Sequence, residues 1–183
     1  MLLDPLISQI ISISLGLMFG IAAIHKISNR SQFRITLLEY QILPEITVLP
    51  ASWIIPTLEL LLGVAWLIGI YQQSLTAIIS IVLLAAYSLA IGINIGRGRV
   101  YFDCGCGFGG KIENEQYLSA SLIARNFGLI GVILITTLPV GSRDFGTGDY
   151  LIFLAALLAS ALLFGTINQL LGNRASINTW RKN

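Results

Sequence analysis

Apolar residues dominate the chain in five runs, and short polar or glycine-rich segments separate them. Each run is about 20 residues long, the length that an α-helix needs to cross the hydrocarbon core of a bilayer. The runs cover residues 6–27, 51–70, 74–95, 117–138 and 150–171. The pattern predicts an all-α integral membrane protein, with a bundle of about five transmembrane helices forming one membrane domain over residues 1–183.

Between the first two runs, residues 28–50 have an amphipathic pattern. Charged Arg34 and Glu39 lie opposite apolar positions that recur at helical spacing, as in a helix lying on a membrane surface. These apolar positions are Phe33, Leu37, Leu38, Ile42 and Leu43. The sequence therefore predicts one interfacial helix, which Pro44 and Pro50 end before the second transmembrane helix begins.

Composition supports a membrane environment. Of 183 residues, 55% are hydrophobic and 11% are charged, against about 25% charged in soluble domains. The lipid bilayer is thus the expected surrounding. The net charge of +2 does not suggest nucleic-acid binding. No Lys or Arg precedes the first run, so we expect a retained helix rather than a signal peptide.

The loop over residues 97–116 contains both cysteines, Cys104 and Cys106, with Gly105 between them. A disulfide in so small a ring gains little from loop closure, and Gly105 allows the tight turn that it needs. The pattern favours a thiol–disulfide oxidoreductase that exchanges with a partner's thiols or passes two electrons to a membrane quinone. No other cofactor is predicted. Two alternatives remain, in which the thiolates bind Cu(I) or Zn, or the cysteines are inert.

Charged residues inside the apolar runs are the next candidates. Counted at 1.5 Å per residue, Glu59, Arg125 and Tyr87 all lie about 13 Å from the cysteine side of the membrane. We predict that Glu59 and Arg125 pair, as a structural ion pair, a proton relay or a contact to a quinone. His25 is an interfacial anchor or a proton carrier. The candidate catalytic residues are Cys104, Cys106, Glu59, Arg125 and His25.

Two pairs of glycines four residues apart predict close helix contacts. They are Gly16 with Gly20 and Gly92 with Gly96.

Several short motifs follow one another in a recognisable order. They are HK at 25–26, Phe33 and Tyr40 before LP at 43–44, PTLELLLG at 56–63, GRGRVYFDCGCG at 96–107 and ARN at 124–126. In this order they resemble the MauE family of methylamine-utilisation membrane proteins, which is grouped with redox-associated DoxX-like proteins. The resemblance implies a four-helix core followed by an additional C-terminal helix over residues 149–172.

The resemblance also implies a function in a bacterial inner membrane. Cys104 and Cys106 would support disulfide formation and maturation of the methylamine dehydrogenase β subunit, beside a thioredoxin-like partner of the MauD type. The second hypothesis is a non-enzymatic scaffold or docking factor, which assembles a periplasmic amine dehydrogenase or another thiol-containing protein.

Charge and family resemblance predict opposite orientations. With five crossings, nine of the eleven lysines and arginines lie on the cysteine side, Arg143 lies on the other side and Arg125 lies within a helix. The positive-inside rule then places the cysteine loop in the cytoplasm. A periplasmic client requires the reverse, so both orientations remain open.

Overall fold

The computed structural model describes residues 2–69, 73–98, 120–143 and 146–180, and most of them are helical. The helices are α1 (Pro5–Ser28), α2 (Arg30–Tyr40), α3 (Glu45–Ile68), α4 (Gln73–Gly96), α5 (Ala120–Ile135) and α6 (Thr147–Trp180). Four of the described helices contain spans long and apolar enough to cross a membrane, namely Pro5–Ser28, Glu45–Ile68, Ser74–Gly96 and Thr147–Ile167. The predicted class, an all-α multi-pass membrane protein, is confirmed.

The helix α5 is also apolar but has 16 residues in its described part, fewer than the other candidate spans. The predicted run began at residue 117, and residues 117–119 lie outside the described ranges. At the other end, α5 stops at Ile135, and successive backbone turns follow it. That α5 crosses the membrane therefore remains a prediction.

Local signals explain how α1 begins and ends. The carboxylate of Asp4 accepts a hydrogen bond from the backbone N–H of Leu6, and Pro5 occupies the first helical turn, where its missing N–H is not needed. At the other end, both the backbone and side-chain nitrogens of Asn29 donate to the carbonyl of His25. Asn29 thereby ends α1 immediately before α2 begins at Arg30.

The segment predicted to lie on the membrane surface does contain a short helix, α2. It packs against α3, burying Phe33 and Thr36, while Arg34 and Glu39 are exposed. The prediction that Pro50 precedes the second membrane helix is wrong, because α3 begins at Glu45, directly after Pro44, and continues through Pro50 and Pro56. Helices surrounded by lipid retain internal prolines, since an open backbone has no water with which to hydrogen-bond.

The helices α1 and α3 run antiparallel in close contact. A Cβ atom built on Gly63 would lie 2.8 Å from the backbone nitrogen of Gly20 and 3.0 Å from the carbonyl oxygen of Gly16. The predicted close contact at Gly16 and Gly20 is confirmed, and Gly63 supplies its other half. At Gly92 a Cβ would meet a side chain at the ordinary distance of 3.8 Å, and at Gly96 it would meet nothing within 4 Å.

Replacing Gly63 with Ala should push α1 and α3 apart, because the added methyl group meets backbone atoms that no rotamer change can move. Overpacking of this kind costs about 1 to 3 kcal/mol. Thermal unfolding in detergent should therefore show a lower midpoint. Gly20→Ala is the matched control, since a Cβ there meets nothing within 4 Å. Equal midpoints for the two variants would contradict this packing.

The apolar core joins this pair of helices to α4 and α5. It contains Leu15 and Phe19 of α1, Leu62 and Trp66 of α3, Ala77, Leu83 and Leu84 of α4, and Ile133 of α5. The indole nitrogen of Trp66 donates to the Ser80 hydroxyl at 3.0 Å, which fixes α3 against α4. The helices α4 and α5 pack directly on each other.

The remaining helix, α6, lies at the edge of the bundle and contacts α1. The hydroxyl groups of Ser14 and Ser160 are 3.1 Å apart at this contact. No residue in the apolar window of its span Thr147–Ile167 is buried. Since the exposed side chains of this span are mostly Leu, Ile and Ala, lipid is their natural surrounding.

Contacts at one end of the bundle fix which helix ends lie together. The backbone nitrogen of Leu3 donates to the Pro139 carbonyl, and that of Gly141 donates to the Leu3 carbonyl, each at 2.9 Å. The start of α1 therefore lies beside the segment that follows α5. The end of α1 and the start of α5 consequently share the opposite end of the bundle, which the end of α4 also reaches. We call it the cysteine end, because Cys104 and Cys106 lie in the sequence between the end of α4 and the start of α5.

Candidate functional site

Buried charges of the bundle meet where α1, α3 and α4 come together. The ammonium Nζ of Lys26, in the last turn of α1, lies 2.5 Å from Oε1 of Glu59 in α3. The two side chains expose only 4% and 2% of their surface. Either charge alone would be costly to bury, so direct contact with the other stabilises it.

A third side chain completes this arrangement. The hydroxyl of Tyr87, in α4, donates to the same Oε1 of Glu59 at 2.6 Å and accepts a hydrogen bond from Lys26 Nζ at 3.1 Å. Each of the three polar groups therefore contacts the other two. We call Lys26, Glu59 and Tyr87 the Lys26 cluster.

Aromatic rings surround the ammonium group on two sides. Lys26 Nζ lies 4.8 Å from the ring centroid of Tyr87 and 5.3 Å from that of Phe33 in α2. Both distances are within the range of cation–π attraction, which is stronger when the cation is desolvated. Through these contacts the first four helices all reach one lysine, so the cluster connects α2 to the bundle.

Several other buried polar atoms lie in this half of the bundle. Within the described residues, no hydrogen-bond partner is present for Glu59 Oε2, Asn94 Oδ1 or Asn126 Nδ2. The side-chain nitrogen of Asn94 donates a hydrogen bond to the Ala90 carbonyl of its own helix. Buried polar atoms normally have partners. In the described ranges no three His, Cys, Asp or Glu side chains form a metal-binding group.

The predicted partner of Glu59 was Arg125, and the structure corrects this pairing. Glu59 forms its ion pair with Lys26. Arg125 lies in α5, half-buried, beside the buried Asn126. The sequence alone gave Lys26 only as one of the basic residues counted on the cysteine side of the membrane, near the end of the first helix. Helical side chains instead point towards the N-terminus of their helix, and this direction carries the Lys26 ammonium inward to Glu59.

A sequence signal for Lys26 does exist. The buried face of α1 includes Leu15, Phe19 and Ala23, each four residues after the last, and Lys26 follows three residues later on the same face. A lysine that continues a buried apolar stripe is expected to have a buried partner. Tyr87, which helix counting placed at the depth of Glu59, is the residue that joins the pair.

His25 is exposed, although it precedes the buried Lys26. Its carbonyl oxygen accepts the hydrogen bonds from Asn29 that end α1. None of the contacts in the Lys26 cluster involves the His25 side chain. The structure therefore separates His25 from the buried cluster, and any role of the imidazole belongs to the helix surface.

Cys104 and Cys106 lie outside the described residues, so their predicted redox role stays a prediction. The end of α4 that leads into their loop is described. There, Arg97 donates from Nη1 to the carbonyl of Gln41 at 3.3 Å, which joins this end of α4 to the end of α2. The Lys26 cluster lies in the half of the bundle closest to this junction.

A helical bundle with apolar spans around a buried, closed ion cluster defines a multi-pass membrane protein with a charged interior. The chain belongs to the MauE family. The family model described as methylamine utilisation protein MauE matches residues 4–139, from just before α1 to just after α5. The helix α6 follows the matched region.

Individual relatives agree with this assignment. The methylamine utilization protein MauE of Methylorubrum extorquens is 31% identical over 171 residues, covering 90% of this chain and 88% of that protein. The protein of the same name from Paracoccus denitrificans is 27% identical over 183 residues, covering 99% of this chain and 95% of that protein. The protein of the same name from Methylophilus methylotrophus is 34% identical over 103 residues, covering 56% of this chain and 54% of that protein. No solved structure gives a significant match.

Proposed function

We propose that this protein acts in methylamine utilisation as a membrane maturation factor. In this proposal, a reversible disulfide between Cys104 and Cys106 supports disulfide formation in the β subunit of methylamine dehydrogenase. The observation that carries the proposal is the pair of cysteines one residue apart, in the loop that joins α4 to α5 of a MauE-family chain.

The chemistry is thiol–disulfide exchange, which balances without a further oxidant. Two client thiols lose their protons and form a disulfide bond, while the bond between Cys104 and Cys106 breaks and its sulfurs take up two electrons and two protons. A thioredoxin-like protein of the MauD type is the proposed exchange partner. A membrane quinone is the proposed acceptor that restores the disulfide afterwards.

A single-cysteine variant tests the exchange directly. With Cys104→Ser or Cys106→Ser, the remaining thiol can attack a partner disulfide but cannot resolve the product, so a mixed disulfide should accumulate. After acid quenching and alkylation, immunoblots should show a larger disulfide-linked species that disappears when a reductant is added. Mass spectrometry should then find the β subunit or a thioredoxin-like protein in it. Absence of any such species from both variants would contradict the exchange.

The proposed topology has five crossings of a bacterial inner membrane. It includes α5 as a span and places the cysteine loop and the C-terminus on one side. Accessibility labelling of single cysteines, introduced into a cysteine-free variant at Tyr71, Gly110, Gly146 and the C-terminus, should therefore give equal results for Gly110 and the C-terminus. Cysteines at Tyr71 and Gly146 should be labelled from the opposite side of the membrane. Labelling of Gly110 and the C-terminus from opposite sides would exclude five crossings.

The same labelling identifies the side that bears the cysteines. A periplasmic Gly110 fits direct exchange with a secreted client. A cytoplasmic Gly110 fits the excess of Lys and Arg on that side, and reducing equivalents would then have to cross the membrane.

A further inference from the structure

The arginine that begins α2 lies over an aromatic ring instead of beside a carboxylate. The guanidinium carbon of Arg30 is 3.3 Å from the ring centroid of Trp53, in α3. In the described part of the chain, the ion pairs all use Lys26 or Arg143 as the cation. Contact with a ring occupies one face of the guanidinium and leaves its N–H groups, which lie in the plane, directed outwards. Arg30 can therefore donate to an anion that comes from outside the protein.

Arg30 and Trp53 lie at the boundary of the membrane. The apolar span of α1 ends at Ser28, two residues before Arg30. That span has 24 residues and is about 36 Å long, a little more than the hydrocarbon core, so its end reaches the headgroups. Trp53 contacts Arg30 at this level, and 52% of its surface is exposed. Phosphates of lipid headgroups are the anions present at this depth.

From Trp53 towards the middle of the membrane, α3 has an exposed apolar side. Three residues follow Trp53 by eight, eleven and fifteen positions, which places them on the same side of the helix. They are Leu61, Val64 and Ile68, and they expose 62%, 43% and 64% of their surface. Thr57, also on this side, donates its hydroxyl to the Trp53 carbonyl of its own helix. The surface therefore begins at a cation and continues as a strip suited to hydrocarbon.

We propose that Arg30 and Trp53 bind the headgroup of an anionic phospholipid at the cysteine end, with its acyl chains along the exposed side of α3. The planar guanidinium donates parallel N–H···O bonds to two phosphate oxygens. The Trp53 ring holds the guanidinium from its other face, and cation–π attraction strengthens this contact.

The two parts of the surface favour a lipid over other anions. A free phosphate would contact Arg30 but leave the apolar side of α3 uncovered, whereas a phospholipid covers both. A zwitterionic headgroup carries a cation of its own, which the charge of Arg30 repels. The anionic class of phospholipid is therefore the expected ligand.

Native mass spectrometry of the full-length protein in detergent can measure the dissociation constant of the first bound lipid. The probes are dioleoylphosphatidylglycerol, dioleoylphosphatidylcholine and glycerol 3-phosphate, which has the phosphate without acyl chains. Arg30→Gln removes the charge, whereas Arg30→Lys keeps the charge without the planar group. Trp53→Leu removes the ring, whereas Trp53→Phe keeps an aromatic ring.

Arg34→Gln is the matched control. It removes the same charge from the same helix, at a side chain that is exposed and lies over no aromatic ring of the described residues. Thermal unfolding midpoints measured without added lipid check that each variant is folded.

Phosphatidylglycerol should bind the wild-type protein about tenfold more tightly than phosphatidylcholine, and Arg30→Gln should weaken its binding by about the same factor, because charge-assisted hydrogen bonds are lost. Trp53→Leu should weaken binding about threefold, in line with the loss of a cation–π contact. Trp53→Phe and Arg34→Gln should retain most of the affinity, and Arg30→Lys should lie between wild type and Arg30→Gln.

Three results would overturn the lipid site. Equal losses in Arg30→Gln and Arg34→Gln would show that binding depends on diffuse charge. Equal affinities of the wild-type protein for the two lipids would exclude recognition of an anionic headgroup, and this comparison requires no variant to fold. Binding of glycerol 3-phosphate as tight as that of phosphatidylglycerol would identify a phosphate site without a role for acyl chains.

Discussion

Lys26→Met is expected to reduce the amount of folded protein in the membrane sharply, and Glu59→Gln should do the same. Each change removes one member of an ion pair in which both side chains are nearly buried. Leaving a buried charge without its partner costs about 3 to 5 kcal/mol. That loss is a large fraction of the stability of a typical domain.

The double variant, Lys26→Met with Glu59→Gln, should accumulate better than the sum of the single losses implies, because no uncompensated charge remains. Fluorescence-detected size-exclusion chromatography and thermal unfolding of the four proteins form a double-mutant cycle. Arg34→Met is the control for losing a cation, since Arg34 is exposed on α2. Strictly additive losses would show that the two charges do not interact.

A second double-mutant cycle distinguishes Lys26 from Arg125, the partner that helix counting predicted for Glu59. Coupling between Glu59 and Lys26 should exceed coupling between Glu59 and Arg125, since Lys26 makes the direct contact. A larger coupling with Arg125 would restore the pairing that helix counting suggested. The measurement is the same unfolding series with Arg125→Gln in place of Lys26→Met.

The double replacement of Cys104 and Cys106 by Ser should abolish accumulation of the mature client while leaving this protein at its normal level. A disulfide across one residue constrains the unfolded chain very little, so its loss should barely change stability. The redox chemistry, however, is removed entirely. Active methylamine dehydrogenase and the thiol state of its β subunit should be measured in cells producing each variant.

Full accumulation of active enzyme with the double Ser variant would refute the redox assignment and favour the scaffold hypothesis. Gly105→Ala provides a milder comparison, because it retains both thiols and restricts the backbone between them. An intermediate yield with Gly105→Ala would indicate that turn geometry at the cysteines limits the exchange.

Particular elements of the fold were predictable because their signal is local. The apolar runs that became α1, α3, α4 and the span of α6 exceed what a soluble core needs, so composition alone predicts membrane helices. The amphipathic pattern of residues 28–50 predicted a short helix with Arg34 and Glu39 on its polar face, and both are exposed on α2. The start of α3 was misplaced, since a proline signal that ends helices in water is overridden in lipid, where the backbone must stay hydrogen-bonded.

By itself, the sequence determined the helical membrane class, the resemblance to MauE and the presence of a Glu and a Tyr at similar depth. Only the tertiary structure decided that Lys26 is the cation for Glu59, because this depends on how closely α1 approaches α3. Gly63 against Gly16 and Gly20 sets that distance. Gly63 lies far from the other two glycines in sequence, so this contact forms only after the helices pack. Helix periodicity gives the face on which a residue lies, whereas the partner of that face is chosen by contacts between helices.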